Sequence, residues 1–99
     1  MLEMNICLPN EYKKIDKKLN TTYQILTHLL WDQSKLRASQ SAWIKFRDLT
    51  CKFEISGIDE DGSYHPYAEN ACLIDLTEKR IRDLEEYLSR DCDGCPPRK

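Results

Sequence analysis

Between Pro9 and Gly57 the chain contains no glycine and no proline. Nothing in that interval forces the backbone out of a helix, and with only 3 glycines and 4 prolines in 99 residues long helices are open to the rest of the chain as well. At the centre of the interval lies the stretch from Gln40 to Cys51. At helical spacing Leu36, Gln40, Trp43, Arg47 and Thr50 line one side of it, and Ala42, Phe46, Leu49 and Phe53 line an adjacent one. Two broad inward-facing sides predict a helix covered on both flanks, hence a central helix.

The flanking segments supply its neighbours. Tyr12, Ile15, Leu19, Tyr23, Leu26 and Leu30 recur at steps of three and four, which predicts a helix from about Pro9 to Leu30 with Ile25 and Leu29 widening its apolar side. Pro9 suits a first helical turn, and Glu11 suits the positive end of the helix dipole. Trp31 to Ser34 reads as a turn, with Asp32 or Ser34 capping the second helix. The alternative is one unbroken rod from Pro9 to Phe53. Ser56-Gly57 should end the second helix. Asp59, Asp61, Gly62, Ser63 and Pro66 are turn-formers and make a loop as far as Tyr67. A third helix follows from Tyr67 or Ala68, with Ala71, Ile74, Thr77, Ile81, Leu84 and Leu88 on one stripe. The expected fold is all-α, a three-helix up-down-up antiparallel arrangement with helices near 9–30, 34–55 and 68–90. Residues 1–91 form a single domain, and 92–99 form a Cys- and Pro-containing tail.

Charge and cysteine usage narrow the function. The net charge of −2 divides unevenly: residues 1–54 hold nine Lys/Arg against six Asp/Glu, and residues 55–99 hold six against eleven. An acidic surface favours a basic partner and works against nucleic acid. Lys13, Lys14, Lys17 and Lys18 share one helix face without interleaved aromatics, which is the pattern of a solvated face. The 5 cysteines point to an oxidising compartment, and an odd count leaves one without a partner. No run approaches the ~18 apolar residues of a membrane span. The chain is expected to be the mature part of an exported protein, periplasmic or secreted, with its leader removed.

The spacing of the polar residues carries a resemblance. Asp16-x-x-Leu19-Asn20-x-x-Tyr23 is followed by Leu36-x-x-x-Gln40-x-x-Trp43-x-x-x-Arg47-Asp48-x-x-Cys51, then Gly62-Ser63, then Cys72-x-x-x-x-Thr77-x-x-Arg80-x-x-x-Leu84. Taken jointly over roughly residues 3–88, this resembles the LprI-type lysozyme-inhibitor domain family of exported bacterial proteins. The resemblance implies a small helical domain of the cell envelope or its surroundings and, for at least some members, inhibition of lysozyme. Relatives often carry a further cysteine shortly before the one matching Cys7, so Cys7 is expected to lack its native partner.

An up-down-up arrangement brings the end of the second helix beside the start of the third, where Cys51 and Cys72 sit, and a disulfide is expected there. Cys92 and Cys95 lie at the opposite end and are expected to pair with each other or stay free. Level-matching along the helices sets Asp16 opposite Arg47 or Asp48, Tyr23 opposite Gln40, Thr77 opposite Arg47 and Arg80 opposite Trp43. With Asn20, these read as a structural set, because carboxylate, guanidinium and amide without a nucleophile or tuned base make no catalytic constellation. His28 and His65 lie in different segments. No enzyme, cofactor or metal site is expected. The loop Asp59-Glu60-Asp61-Gly62-Ser63-Tyr64-His65 is the expected contact surface. Its carboxylates would steer a basic lysozyme, and Ser63 or His65 would hydrogen-bond inside the enzyme's cleft.

Overall fold

A computed structural model describes residues 2–90 and 92–99, with side chains from Leu8 onward. It contains three helices: α1 (Leu2–Leu29), α2 (Ser34–Glu54) and α3 (Tyr64–Ser89). They run up, down and up, so α1 and α3 are parallel and α2 opposes both. The single β-type pairing among the described residues is an isolated bridge between Leu30 and Arg98.

The turn after α1 excludes the continuous rod. The Leu30 amide donates to Thr27 O at 3.2 Å, tightening the last turn. Asp32 Oδ1 then accepts from the Ser34 amide at 2.9 Å and from Ser34 Oγ at 2.7 Å. A side chain that satisfies the backbone locally offers the chain a turn in place of more helix. Asp32 thus performs the capping role from one position outside the cap residue Gln33, whose own side chain makes no capping bond.

Three boundaries differ from the sequence expectation. The first helix does not start at Pro9 but at Leu2, with Pro9 inside it; a proline there removes one backbone bond without ending the helix. The third helix starts at Tyr64, earlier than Tyr67 or Ala68, with Pro66 in its first turn. The first four amides of a helix have no intrahelical acceptor, so a proline among them loses nothing. Gly57 is not a left-handed terminator: the only positive φ among the described residues belongs to Gly94. Instead Ile55 closes α2 by donating to Cys51 O at 3.1 Å.

The expectation of a central α2 is overturned. α3 is the middle helix: it packs most extensively on α1 and also on α2, while α1 and α2 touch only weakly. Leu19, Leu26, Leu30, Ile81 and Leu84 form the buried apolar cluster, all from α1, its following turn and α3. Ile15, Tyr23, Leu36, Trp43 and Leu88 pack against it. The buried residues of α2 are Gln40, Arg47 and Cys51, two of them polar. Its second apolar side, Phe46, Leu49 and Phe53, faces outward. Among the described residues, the three helices, with overall dimensions of 50 × 24 × 16 Å, include no element that covers that side.

Cys51 and Cys72 join α2 to α3, with Cα atoms 5.7 Å apart and 21 residues of separation. Closing a loop of that length restricts the unfolded chain by about 3 kcal/mol in the chain-entropy account. Cys92 and Cys95 form a second pair, Cα–Cα 5.2 Å, around a turn in which Gly94 takes φ +87°, a conformation costly for any side chain. The Cys7 side chain lies outside the described residues. The tail does not trail away. The Trp31 amide donates to Pro97 O at 3.2 Å and the Lys99 amide to Leu29 O at 2.7 Å, which returns residues 92–99 over the α1–α2 turn.

Candidate functional site

The acidic loop emerges from the end of the molecule that the Cys51–Cys72 bond fastens. Ser56 Oγ donates to Phe53 O at 2.7 Å, the Ile58 amide donates to Ile55 O at 2.9 Å, and the Gly62 amide to Asp59 O at 3.2 Å. Asp59 Oδ1 accepts from the Asp61 amide at 3.0 Å, so one of the three acids shapes the loop as well as charging it. Asp59, Glu60, Asp61 and Ser63 are exposed together. Ser63 stands at the cap position of α3 without a side-chain capping bond, which leaves its hydroxyl to solvent. His65 is set apart from them: it is half-buried in the first turn of α3, its amide donating to Gly62 O at 3.3 Å. The exposed aromatic here is Tyr64, stacked on Tyr67 with centroids 5.7 Å apart. Tyr67 joins the acidic loop's neighbourhood through the i, i+3 spacing that helix formation at Tyr64 creates.

Most of the remaining motif residues meet along the α2–α3 seam, joined from α1 by Asp16. Arg47, at the middle of α2, donates from Nε to Asp48 Oδ1 at 2.9 Å and lies 3.7 Å from Asp16 Oδ1. Its NH1 reaches Thr77 Oγ1 at 3.4 Å, and its guanidinium lies over the rings of Trp43 (5.2 Å) and Tyr12 (5.6 Å). One helical turn along, Arg80 of α3 donates from Nε to Gln40 Oε1 at 2.9 Å and from NH2 to Ser39 Oγ at 3.3 Å. Its guanidinium also lies 5.8 Å from the Trp43 centroid, so the indole touches both arginines. Cations over an indole face gain from its quadrupole. Tyr23 packs against the apolar cluster, and the amide oxygen of Gln40 goes to Arg80 in place of Tyr23. Asn20 is exposed. Ser39 belongs to this group without any spacing signal, and Tyr12, a member of the apolar stripe of α1, joins it although the polar motif begins only at Asp16.

Electrostatically the seam is asymmetric. The Arg47 side chain is 8% exposed, whereas its two carboxylates, Asp16 and Asp48, are 41% and 49% exposed. The charge inside is the guanidinium, and its counter-charges reach in from the rim. Burial raises the Tyr12 hydroxyl pKa above its ordinary value of 10.0; the Arg47 charge opposes the shift, and Asp16 and Asp48 add to it. This arrangement can set the height of α2 against α3. It offers no activated nucleophile and, among the described residues, no cluster of three or more His, Cys, Asp or Glu side chains converges.

A family model described as lysozyme inhibitor LprI matches residues 1–84. The chain belongs to that family. The match takes in α1, α2, both cysteines of the Cys51–Cys72 pair and most of α3, and it stops short of the returning tail. The uncharacterized protein R02472 of Rhizobium meliloti (strain 1021) is 30% identical over 103 residues, covering 88% of this chain and 73% of that protein. The uncharacterized protein YecT of Escherichia coli (strain K12) is 30% identical over 101 residues, covering 86% of this chain but only 62% of YecT. The crystal structure of a DUF1311 family protein (pp0307) from Pseudomonas putida KT2440 superposes with a TM-score of 0.83 at 20% identity, over 92% of this chain and 96% of that one. That likeness bears on fold alone. Among the described residues no helix is long and apolar enough to cross a membrane.

Proposed function

We propose that the protein is exported and acts by binding and inhibiting a lysozyme, with the loop from Asp59 to His65 as its contact. The observation that supports this most is the match to the lysozyme-inhibitor family over residues 1–84. The chemistry of the loop agrees with it. Lysozymes that are strongly basic meet Asp59, Glu60 and Asp61 with favourable long-range attraction, and they meet the Lys13–Lys18 face with repulsion. A loop held by a disulfide at its base and by backbone bonds within it loses little freedom on docking. Ser63 and Tyr64 are the exposed groups that would enter a cleft lined by carboxylates. Two cystine pairs suit an extracytoplasmic location. No catalytic role is assigned to any residue.

The test is a cell-wall lysis assay with lysozymes of several types and the oxidised protein in molar excess. Slowed lysis by at least one type is the expected result. The Asp59→Asn/Glu60→Gln/Asp61→Asn variant, which keeps an acceptor at Asp59 for the Asp61 amide, should associate more slowly and with a flatter salt dependence. Neutralising Lys13, Lys14, Lys17 and Lys18 should leave inhibition intact. A second reading, an envelope protein that binds another partner through its helical surface, draws on the outward Phe46, Leu49 and Phe53 of α2. Absence of inhibition towards every lysozyme type would decide for that reading.

A further inference from the structure

The returning tail encloses a groove at the end of the molecule away from the acidic loop. The groove has a volume of about 650 Å³, inside the ~300–1,000 Å³ range of small-molecule sites. Its floor is aliphatic: Leu26, Leu30 and Leu36, presented by α1, its following turn and α2. Pro96 and Pro97 of the tail form the facing wall. The lining carries Lys35, Arg90 and Arg98 and, among the described residues, one carboxylate, Asp32.

We propose that this groove binds a single-chain anionic amphiphile, with the hydrocarbon chain along the leucine floor and the acidic head among Lys35, Arg90 and Arg98. The charges around the rim decide the sign of the head. The Asp32 carboxylate accepts two hydrogen bonds from Ser34, neutral donors that leave it one negative charge beside three cations. Arg98 donates to the carbonyls of Tyr87 and Leu88, neutral acceptors that do not themselves cancel its charge. Arg90 shares its charge with Glu86 at 2.6 Å, and among the described residues no carboxylate lies within ion-pair distance of Lys35. An anion is therefore favoured over a cation at this rim. The walls decide the shape of the body. Leucine and proline side chains accommodate a flexible methylene chain, and they lack the pair of parallel aromatic faces that a planar ring ligand stacks between. The tail bonds at Trp31 and Lys99 and the Cys92–Cys95 pair hold the wall in place before the ligand arrives, which lowers the ordering cost of binding.

The experiment titrates the full, oxidised chain with a fluorescent long-chain carboxylate below its micellar concentration, and with the same chain carrying a quaternary ammonium head. The carboxylate should bind at least about tenfold more tightly than the ammonium compound. Lys35→Glu/Arg90→Glu, two exposed positions whose change does not threaten folding, should weaken the carboxylate by about tenfold or more. Phe46→Ser/Phe53→Ser, which takes two exposed aromatic side chains off the outward face of α2, should leave binding unchanged. Equal binding of the two head groups overturns the proposal. So does loss of binding in the phenylalanine variant while the rim variant binds normally. Displacement of the probe by an acidic peptide but not by the unlabelled carboxylate would assign the groove to a protein segment and equally overturn it.

Discussion

The two faces of α3 are built on opposite principles. Towards α1 it presents Ile81 and Leu84 to Leu19, Leu26 and Leu30, a seam of aliphatic side chains with no polar partner to find. Towards α2 it presents Thr77 and Arg80, which meet Arg47, Gln40 and Ser39 through directed bonds around Trp43. The aliphatic seam supplies energy that is nearly indifferent to small sliding, because burial of apolar area is non-directional. The polar seam supplies little net energy per bond but a specific height, because a buried guanidinium out of register with its acceptors is costly. Stability and alignment are thus carried by different sides of one helix.

The largest effect should come from the aliphatic side. Leu84 is 0% exposed, and Leu84→Ala should cost about 3 kcal/mol through lost burial and a residual cavity, read as a shift of the denaturant midpoint at constant slope. Next comes Gln40→Leu, which removes the Arg80 acceptor and should cost about 2 kcal/mol because the buried guanidinium loses a bond. The contrast sharpens with a second change: Gln40→Leu/Arg80→Met should recover most of that loss, since an apolar pair replaces a paired charge at little cost. If the double variant is no more stable than the single, the seam is not acting through unsatisfied charge. Asp16→Asn should cost less than about 1 kcal/mol, as expected for a half-exposed partner at 3.7 Å when Asp48 still holds Arg47; a larger loss would mean that the rim carboxylates matter as much as the core. The smallest effect concerns pH. The hydroxyl and amide of Ser34 hold the Asp32 pKa below its ordinary value of 3.8. Its contribution is therefore complete above that value and fades as acid protonates the folded state, and Asp32→Ala should flatten the stability profile only in that acidic range.

The pattern of what could be read from the residues follows the same division. α1 and α3 were legible because Leu19, Leu26, Ile81 and Leu84 repeat at a spacing that has one physical meaning. The Cys51–Cys72 pairing followed once the helices alternate in direction. The height of Arg47 against Asp16 and Thr77 was also legible, because rise per residue is fixed. The covering of α2 was not: Phe46, Leu49 and Phe53 have the spacing of a buried stripe, yet they face outward, and no element among the described residues packs over them. The position of Tyr64 was masked by Pro66, whose effect depends on whether it falls within the first turn or beyond it. In the candidate site the acids and Ser63 stand where a loop would put them, whereas His65 is drawn into α3 by the same early start. The returning tail rests on Trp31, Pro97 and Arg98, residues far apart in sequence whose bonds run largely through backbone groups, and no side-chain pattern encodes these.

The placement of the two tryptophans makes the molecule report on its own two ends. Trp43 is half-buried between the guanidiniums of Arg47 and Arg80, whereas the Trp31 side chain is 69% exposed on the turn to which the tail is bonded. A soluble collisional quencher should extinguish the emission of Trp31 first and leave that of Trp43. With one indole replaced by phenylalanine at a time, the emission that remains becomes a separate clock for each event. Trp43 times the parting of α2 from α3, and Trp31 times the lifting of the tail from the groove, so whether the two ends open together can be watched without attaching a label.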